Sequence, residues 1–201
     1  MSEYKKQYPW LRMYDPDPAD VDNDDFDALD CLPTGWVKAF GELLCEDLDR
    51  AIKAENLQDE FRILEAKEKW GQFRLYCHPC THAIQDILRK YEAISEVVCS
   101  ICGSIEGVKR VTWGWTCPYC KSCFDKVERG RNLDKFDNLP TNELPTIIKW
   151  SRFGKECGHE DFEMDVSDTI EKIRKRYAER KANGEFKDDI FAEWEDNYYG
   201  A

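Results

Sequence analysis

The chain has 201 residues, enough for one ordinary domain or one domain with a small appended lobe. Hydrophobic residues make up 42% and aromatics 13%, including seven Trp and ten Phe, which supplies a real core and excludes wholesale disorder. The formal net charge of −12 opposes the basic footprint usual in nucleic-acid binders and turns the expectation towards protein partners. No run of eighteen apolar residues occurs, so no membrane span is expected. The opening Met-Ser-Glu-Tyr-Lys-Lys-Gln has no apolar stretch behind its charges, so no signal peptide is expected and the cytoplasm is the expected location. In a reducing compartment the ten cysteines are expected as metal ligands or buried thiols rather than disulfides.

Residues 1–32 read as an acidic extended arm, crowded by Asp15, Asp17, Asp20, Asp22, Asp24, Asp25, Asp27 and Asp30. No register of this stretch supplies the sixth-position Gly and twelfth-position Glu of a calcium-binding EF-hand loop. Thr34 is placed to cap a helix through about residue 54, with Val37, Phe40, Leu44, Leu48 and Ile52 on one face and Cys45 beside it as a core thiol. The period then changes. Phe61 and Ile63 predict one strand, Phe73 and Leu75 a second, and Lys69-Trp70-Gly71 the turn between them. A second helix is predicted from about Thr81 to Ser95, burying Ile84, Ile87, Leu88 and Tyr91.

Two C-x-x-C pairs follow, Cys99/Cys102 and Cys120/Cys123, with seventeen residues between them. Two intervening residues let both thiolates of a pair reach one ion about 2.3 Å away, and the second pair closes a tetrahedron. Gly103 suits the tight turn after the first pair, and Val111, Thr112, Trp113 and Trp115 suit a short hairpin between the pairs. Four thiolates leave no open coordination position, so the expected ion is a structural zinc. Cys117-Pro-Tyr-Cys120 has the same spacing, so Cys117 competes with Cys123 on spacing alone.

The ordered set Pro33-Thr34-Gly35-Trp36 with Phe40-Gly41, then Lys67-Glu68-Lys69-Trp70-Gly71 and Arg74, then Cys99-x-x-Cys102-Gly103, Gly114-Trp115 and Pro118-Tyr119-Cys120-x-x-Cys123 resembles a family of small phage and prophage zinc-ribbon proteins. The resemblance covers residues 33–125 and implies no particular activity. It implies that Cys120 and Cys123 form the second knuckle, that Cys117 is a bystander, and that the chain works in a bacterial host cytoplasm.

A further pair, Cys77-His-Pro-Cys80, sits between a predicted strand and a predicted helix, the placement of a redox-active thiol pair. The βαβ scaffold such a motif normally occupies is not visible. A second metal site is the alternative, drawing Cys77 and Cys80 together with Cys157 and His159, or with His82; plain free thiols are the third reading. Past Cys123, Pro140, Pro145 and several Gly and Asn predict an irregular stretch with short elements over residues 126–160. Asp168 with Glu171 then predicts a capped helix ended by Asn183-Gly184, with Ile170, Ile173 and Tyr177 inward. Lys172, Arg174, Lys175, Arg176, Arg180 and Lys181 make it the one strongly basic stretch, which either meets phosphates or neutralises the chain's own acid surplus. A last short helix is predicted to carry Phe191, Trp194 and Tyr198.

No H-E-x-x-H, phosphate loop, dinucleotide fingerprint or nucleophile elbow is present, and an enzyme is not expected. The expected fold class is α+β: a helix, β-hairpin and helix core over residues 33–98, a four-cysteine zinc ribbon over 99–125, and an irregular then helical C-terminal part over 126–201 packed on the core. The expected function is partner binding on a zinc-held scaffold. With the phage resemblance, a host defence or transcription component is the implied partner. Nucleic-acid binding and thiol–disulfide exchange at Cys77/Cys80 are the alternatives.

Overall fold

The computed structural model describes residues 3–13, 27–113, 115–153 and 159–185. Among them, α1 (Glu3–Gln7) leads through a 3-10 turn (Pro9–Leu11). Helix α2 is built of Thr34–Trp36, a π-helical segment Val37–Gly41 and Glu42–Ala54. Strands β1 (Arg62–Lys69) and β2 (Gln72–His78) precede α3 (His82–Ser95). Strands β3 (Lys109–Trp113) and β4 (Trp115–Tyr119) precede α4 (Lys121–Val127) and α5 (Leu133–Asp137). Strands β5 (Ile147–Phe153) and β6 (His159–Asp165) lead into α6 (Ser167–Ala182). The three sheets are separate two-stranded antiparallel hairpins, and the expected α+β class is what the chain adopts.

The main core joins α2, the β1–β2 hairpin and α3. Trp36, Phe40, Leu44, Leu48 and Ile52 of α2 are buried with Phe61, Ile63, Phe73, Ile84, Tyr91 and Ile94, as helical and strand periodicity require. Phe40 stacks obliquely on Tyr91 and meets Phe73 edge-on. The β1–β2 turn is Trp70-Gly71 with φ of 59° and 76°, the two left-handed positions that match a two-residue turn to strand twist. Tyr91 donates its hydroxyl to Asp47 at 2.8 Å, and Lys90 pairs with the same carboxylate, fastening α3 to α2 by polar contacts as well.

Four sequence expectations are corrected. Thr34 does not cap α2: Pro33 holds the cap position and Thr34 is already helical. Ile87 and Leu88 are only half-buried, because the stripe of α3 runs through Ile84, Tyr91 and Ile94. The stretch expected to be irregular with only short elements contains most of the seven-residue-stranded β5–β6 hairpin, whose Ile148 joins the main core while Trp150 stacks on Phe162. Helix α6 starts at Ser167, not Asp168, and the Asp165 carboxylate accepts the Ser167 N–H at 2.8 Å. Glu171 pairs instead with Arg174 and Asp168 with Lys172, so the expected capping box is replaced by ion pairs along the helix. Gly184 ends the turn after α6 with φ 78°, as Asn183-Gly184 predicted.

The acidic arm is also different at both of its described ends. Tyr8 and Leu11 are buried in the main core, as are Ala28, Leu29 and Leu32. Asp27 is fully buried, and its carboxylate accepts the Leu29 N–H at 2.8 Å, so this acid closes a turn rather than facing water. Residues 14–26 and the expected helix with Phe191, Trp194 and Tyr198 lie outside the described residues.

If the first segment belongs to the core, Leu11→Ala should lower the unfolding free energy by about 2–5 kcal/mol in a urea titration. A change within about 0.5 kcal/mol would return residues 1–13 to the status of a solvated arm.

Candidate metal centre

The first knuckle is made where α3 runs out into Val97 and Val98. The Cys99 N–H donates to Ser104 O at 2.8 Å and the Gly103 N–H to Cys99 O at 2.9 Å, curling residues 99–104 into a tight loop. Gly103 has φ 77°, the left-handed conformation this loop needs. The second knuckle grows from β4. Cys120 follows the strand, Cys123 lies in the first turn of α4, and the Phe124 N–H donates to Cys120 O at 3.0 Å. The hairpin register sets Val111 opposite Cys117 and Lys109 opposite Tyr119. The Ser100 N–H donates to Pro118 O at 2.9 Å, tying the first knuckle to the strand that delivers the second.

The outcome is a cluster of four buried sulfurs. Cys99, Cys102, Cys120 and Cys123 are all buried, and their Sγ atoms lie within 4.8 Å of one another. The Cys102 and Cys120 sulfurs are 3.7 Å apart. A tetrahedron of thiolates about 2.3 Å from a central ion has edges of about 3.8 Å, so a donor set of this size could hold a four-coordinate metal ion. Burial pushes the Cys99 thiol well up, whereas hydrogen bonds from Cys102 and Cys123 pull Cys120 well down. Thiols crowded this way exchange protons readily for a cation, since metal ligation requires the thiolate.

The cluster is locked to the main core through main-chain contacts. The Gly35 N–H donates to Ser100 O at 2.9 Å, and the buried Trp36 indole donates to Val98 O at 3.0 Å. A methyl group at Gly35 would stand 2.4 Å from Cys99 O and 2.7 Å from the backbone carbons of Ser100 and Ile101. From the other side Arg180 of α6 donates to Cys102 O at 3.3 Å, and Tyr177 packs against the cluster. Helix α6 therefore packs over the ribbon.

The four cysteines picked out by sequence spacing are brought together, and the structure separates them from Cys117, which is buried on β4 outside the cluster. Burial pushes the Cys117 thiol up to about 11. The second proposed metal set is not assembled among the described residues: no third ligand groups with Cys77 and Cys80. His82 is exposed at the start of α3, the backbone of His159 lies opposite Phe153 at the open end of β5–β6, and Cys157 falls outside the described residues. Gly35 and Arg180 are the supporting residues that sequence reasoning missed. A glycine in the first turn of a helix, where its low propensity is a cost, was the available signal for Gly35.

The basic residues of α6 meet acids. Lys172 pairs with Asp168, Arg174 with Glu171, Arg176 with Glu42 at 2.7 Å and Arg180 with Glu185 at 2.8 Å. Beside the ribbon lies a second, exposed feature. Trp70 at the β1–β2 turn and Trp115 at the start of β4 are 66% and 61% exposed, the two most exposed large hydrophobic side chains among the described residues. They are held firmly nonetheless. Glu68 accepts the Trp115 indole N–H at 2.9 Å and also the Gly71 N–H, and Arg110 donates to Trp70 O at 2.8 Å. Gly71 sits against Thr116 and Pro118, where an added methyl would come within 3.3 Å of Thr116.

No family model, curated protein or solved structure matches the chain. Among the described residues no helix is long and apolar enough to cross a membrane.

The fit of Gly35 yields a direct test. Gly35→Ala forces backbone atoms apart and should cost about 3 kcal/mol or more in thermal or chemical unfolding. Gly41→Ala, whose new methyl meets the Val37 side chain at 3.3 Å and no backbone, should cost much less. Equal losses in the two variants would mean that the α2–knuckle contact is not a constraint.

Proposed function

We propose that this chain is a non-enzymatic binding protein in which a structural zinc ion, held by Cys99, Cys102, Cys120 and Cys123, fixes a rigid surface for a protein partner. A closed set of four thiolates suits zinc, offers no place for substrate or water, and gives the ion a structural rather than a chemical role. When bound, the ion would supply four metal–sulfur bonds joining two knuckles that have little core of their own. The residues around it do the rest: Gly35 and Arg180 set the ribbon against α2 and α6, and Glu68 couples the two hairpins.

The observation that carries the partner-binding reading is the exposed pair Trp70 and Trp115. Large aromatic side chains left in water on adjacent hairpins, yet pre-positioned by Glu68 and Arg110, are the composition of a binding hot spot. Trp113 adds a third ring, 40% exposed and set edge-on against Phe124. Together with the phage resemblance, this points to a host protein, such as a defence or transcription component, in a bacterial cytoplasm. Nucleic acid is the weaker reading. It needs free cations beside the rings, and the basic helix α6 spends most of its charge on Asp168, Glu171, Glu42 and Glu185.

The test compares the parent chain with the double variant Trp70→Ala/Trp115→Ala, both metal-loaded, as bait in a bacterial lysate. A discrete host protein should be retained by the parent, and its affinity should fall at least about thirtyfold per lost anchor when remeasured with purified components. Retention of the same proteins by both baits, or of none, would remove the reading. Binding of a labelled single-stranded oligonucleotide at micromolar protein and low salt would replace it with the nucleic-acid alternative.

A further inference from the structure

Cys77 and Cys80 lie outside the metal centre, and the function proposed above makes no use of them. Cys77 is the second-last residue of β2, opposite Ile63, and is buried; Cys80 is exposed. Between β2 and α3 the chain turns sharply, and Thr81 caps the helix, its hydroxyl accepting the Ile84 N–H at 3.4 Å. Only two residues separate the thiols, and the Cys77 thiol lies inside the turn, donating to Pro79 O at 3.9 Å. Cys80 also forms part of the wall of an open groove of about 260 Å³. Tyr76, Leu88, Arg74, Arg89 and Glu92 line the same groove. Cys80 thus borders a ligand-sized space, whereas Cys77, at the end of β2, is buried and outside the groove's lining.

We propose that Cys77 and Cys80 form a redox-active dithiol that is oxidised reversibly by low-molecular-weight disulfides, with Cys80 the attacked-and-attacking outer sulfur and Cys77 the resolving one. The Cys80 thiolate attacks one sulfur of R–S–S–R, forming Cys80–S–S–R and releasing RS⁻. The Cys77 thiol then gives its proton to the departing thiolate, and its sulfur displaces the second RS⁻ from Cys80. The second RS⁻ takes up the proton that Cys80 released on ionising, so the sum is dithiol plus R–S–S–R giving the Cys77–Cys80 disulfide plus two RSH; the protein loses two electrons and the external disulfide gains them. The groove receives one arm of R. At about 260 Å³ it sits near the lower limit of ligand pockets, about 300–1,000 Å³, which suits a peptide-sized thiol rather than a folded protein.

The electrostatics agree with this order of attack. The hydrogen bond from Cys77 and the charge of Arg89 bring the Cys80 thiol down to about 7, so a large share is thiolate near neutrality. The same hydrogen bond, together with burial, holds Cys77 well up, as a resolving thiol that reacts only after Cys80 has been modified.

The test uses the full, metal-loaded chain and glutathione disulfide as the probe, read by mass spectrometry of the alkylated peptide holding residues 77–80. The parent should form the Cys77–Cys80 disulfide, revert fully with excess reduced glutathione, and keep its metal throughout. Cys77→Ser should stop at one glutathione adduct on Cys80, formed at least about tenfold faster than on the half-buried Cys31. Cys80→Ser should leave Cys77 unmodified on that timescale. Circular dichroism of both variants must match the parent, and the parent result stands alone if either variant misfolds. A stable mixed disulfide in the parent would overturn the proposal, because resolution fails. So would Cys80 reactivity equal to that of Cys31, or a second metal equivalent lost in Cys77→Ser, since those outcomes make the pair inert thiols or ligands.

Discussion

Two short knuckles, one at the end of a helix and one at the end of a hairpin, bring four sulfur atoms to one buried point, and the middle of the molecule is arranged around that point. The ribbon has little apolar material of its own: Ile101 and Val108 are buried with the four cysteines, and Val111, Phe124 and Phe136 form a separate small cluster. A unit this small does not hold its shape by hydrophobic burial alone, which is why a metal-supplied set of strong bonds is the natural cross-link. The contacts from Gly35, Trp36 and Arg180 then transmit that order to α2 and α6. Order at the cluster and order in the core are consequently the same property.

The same coupling explains why the exposed tryptophans are presented rather than buried. Trp115 belongs to the strand that delivers Cys120, and Trp70 to the hairpin that rests on that strand through Gly71. Glu68 bridges the two. Burial raises the proton affinity of its carboxyl, while the bonds from the Gly71 N–H and the Trp115 indole lower it. The surface is therefore tied to the cysteine cluster, and its two rings are already ordered by folding.

Much of this was legible in the residues. The C-x-x-C spacing gave the four clustered cysteines because two pairs at that spacing can meet at one point, and Trp70-Gly71 gave the hairpin because a two-residue turn demands left-handed backbone. Helices α2 and α3 followed from period. What escaped was whatever local signals conceal. The β5–β6 hairpin has few inward apolar residues, and Pro140 and Pro145 beside it read as loop. Ile147 and Ile148 look alike in sequence, yet the pleat exposes the first and buries the second. The density of aspartates likewise masked Tyr8, Leu11, Ala28 and Leu29, because charge counted along a chain says nothing of the side chains between. Asp27 inverted the expectation altogether, since a buried carboxylate bonded to main-chain N–H groups is a structural part. The role of α6 as a cover for the ribbon needed the third dimension, because Arg180 and Cys102 are far apart in the chain.

Metal stoichiometry joined to a chelation experiment tests the central claim most directly. Purified under reducing conditions, the chain should carry one equivalent of zinc by elemental analysis. Its removal by a strong chelator should abolish the near-ultraviolet circular dichroism of the ribbon tryptophans and lower the unfolding midpoint, with recovery on adding zinc back. A chain that is free of metal as purified, and whose spectrum and stability do not change on chelation, would contradict the account.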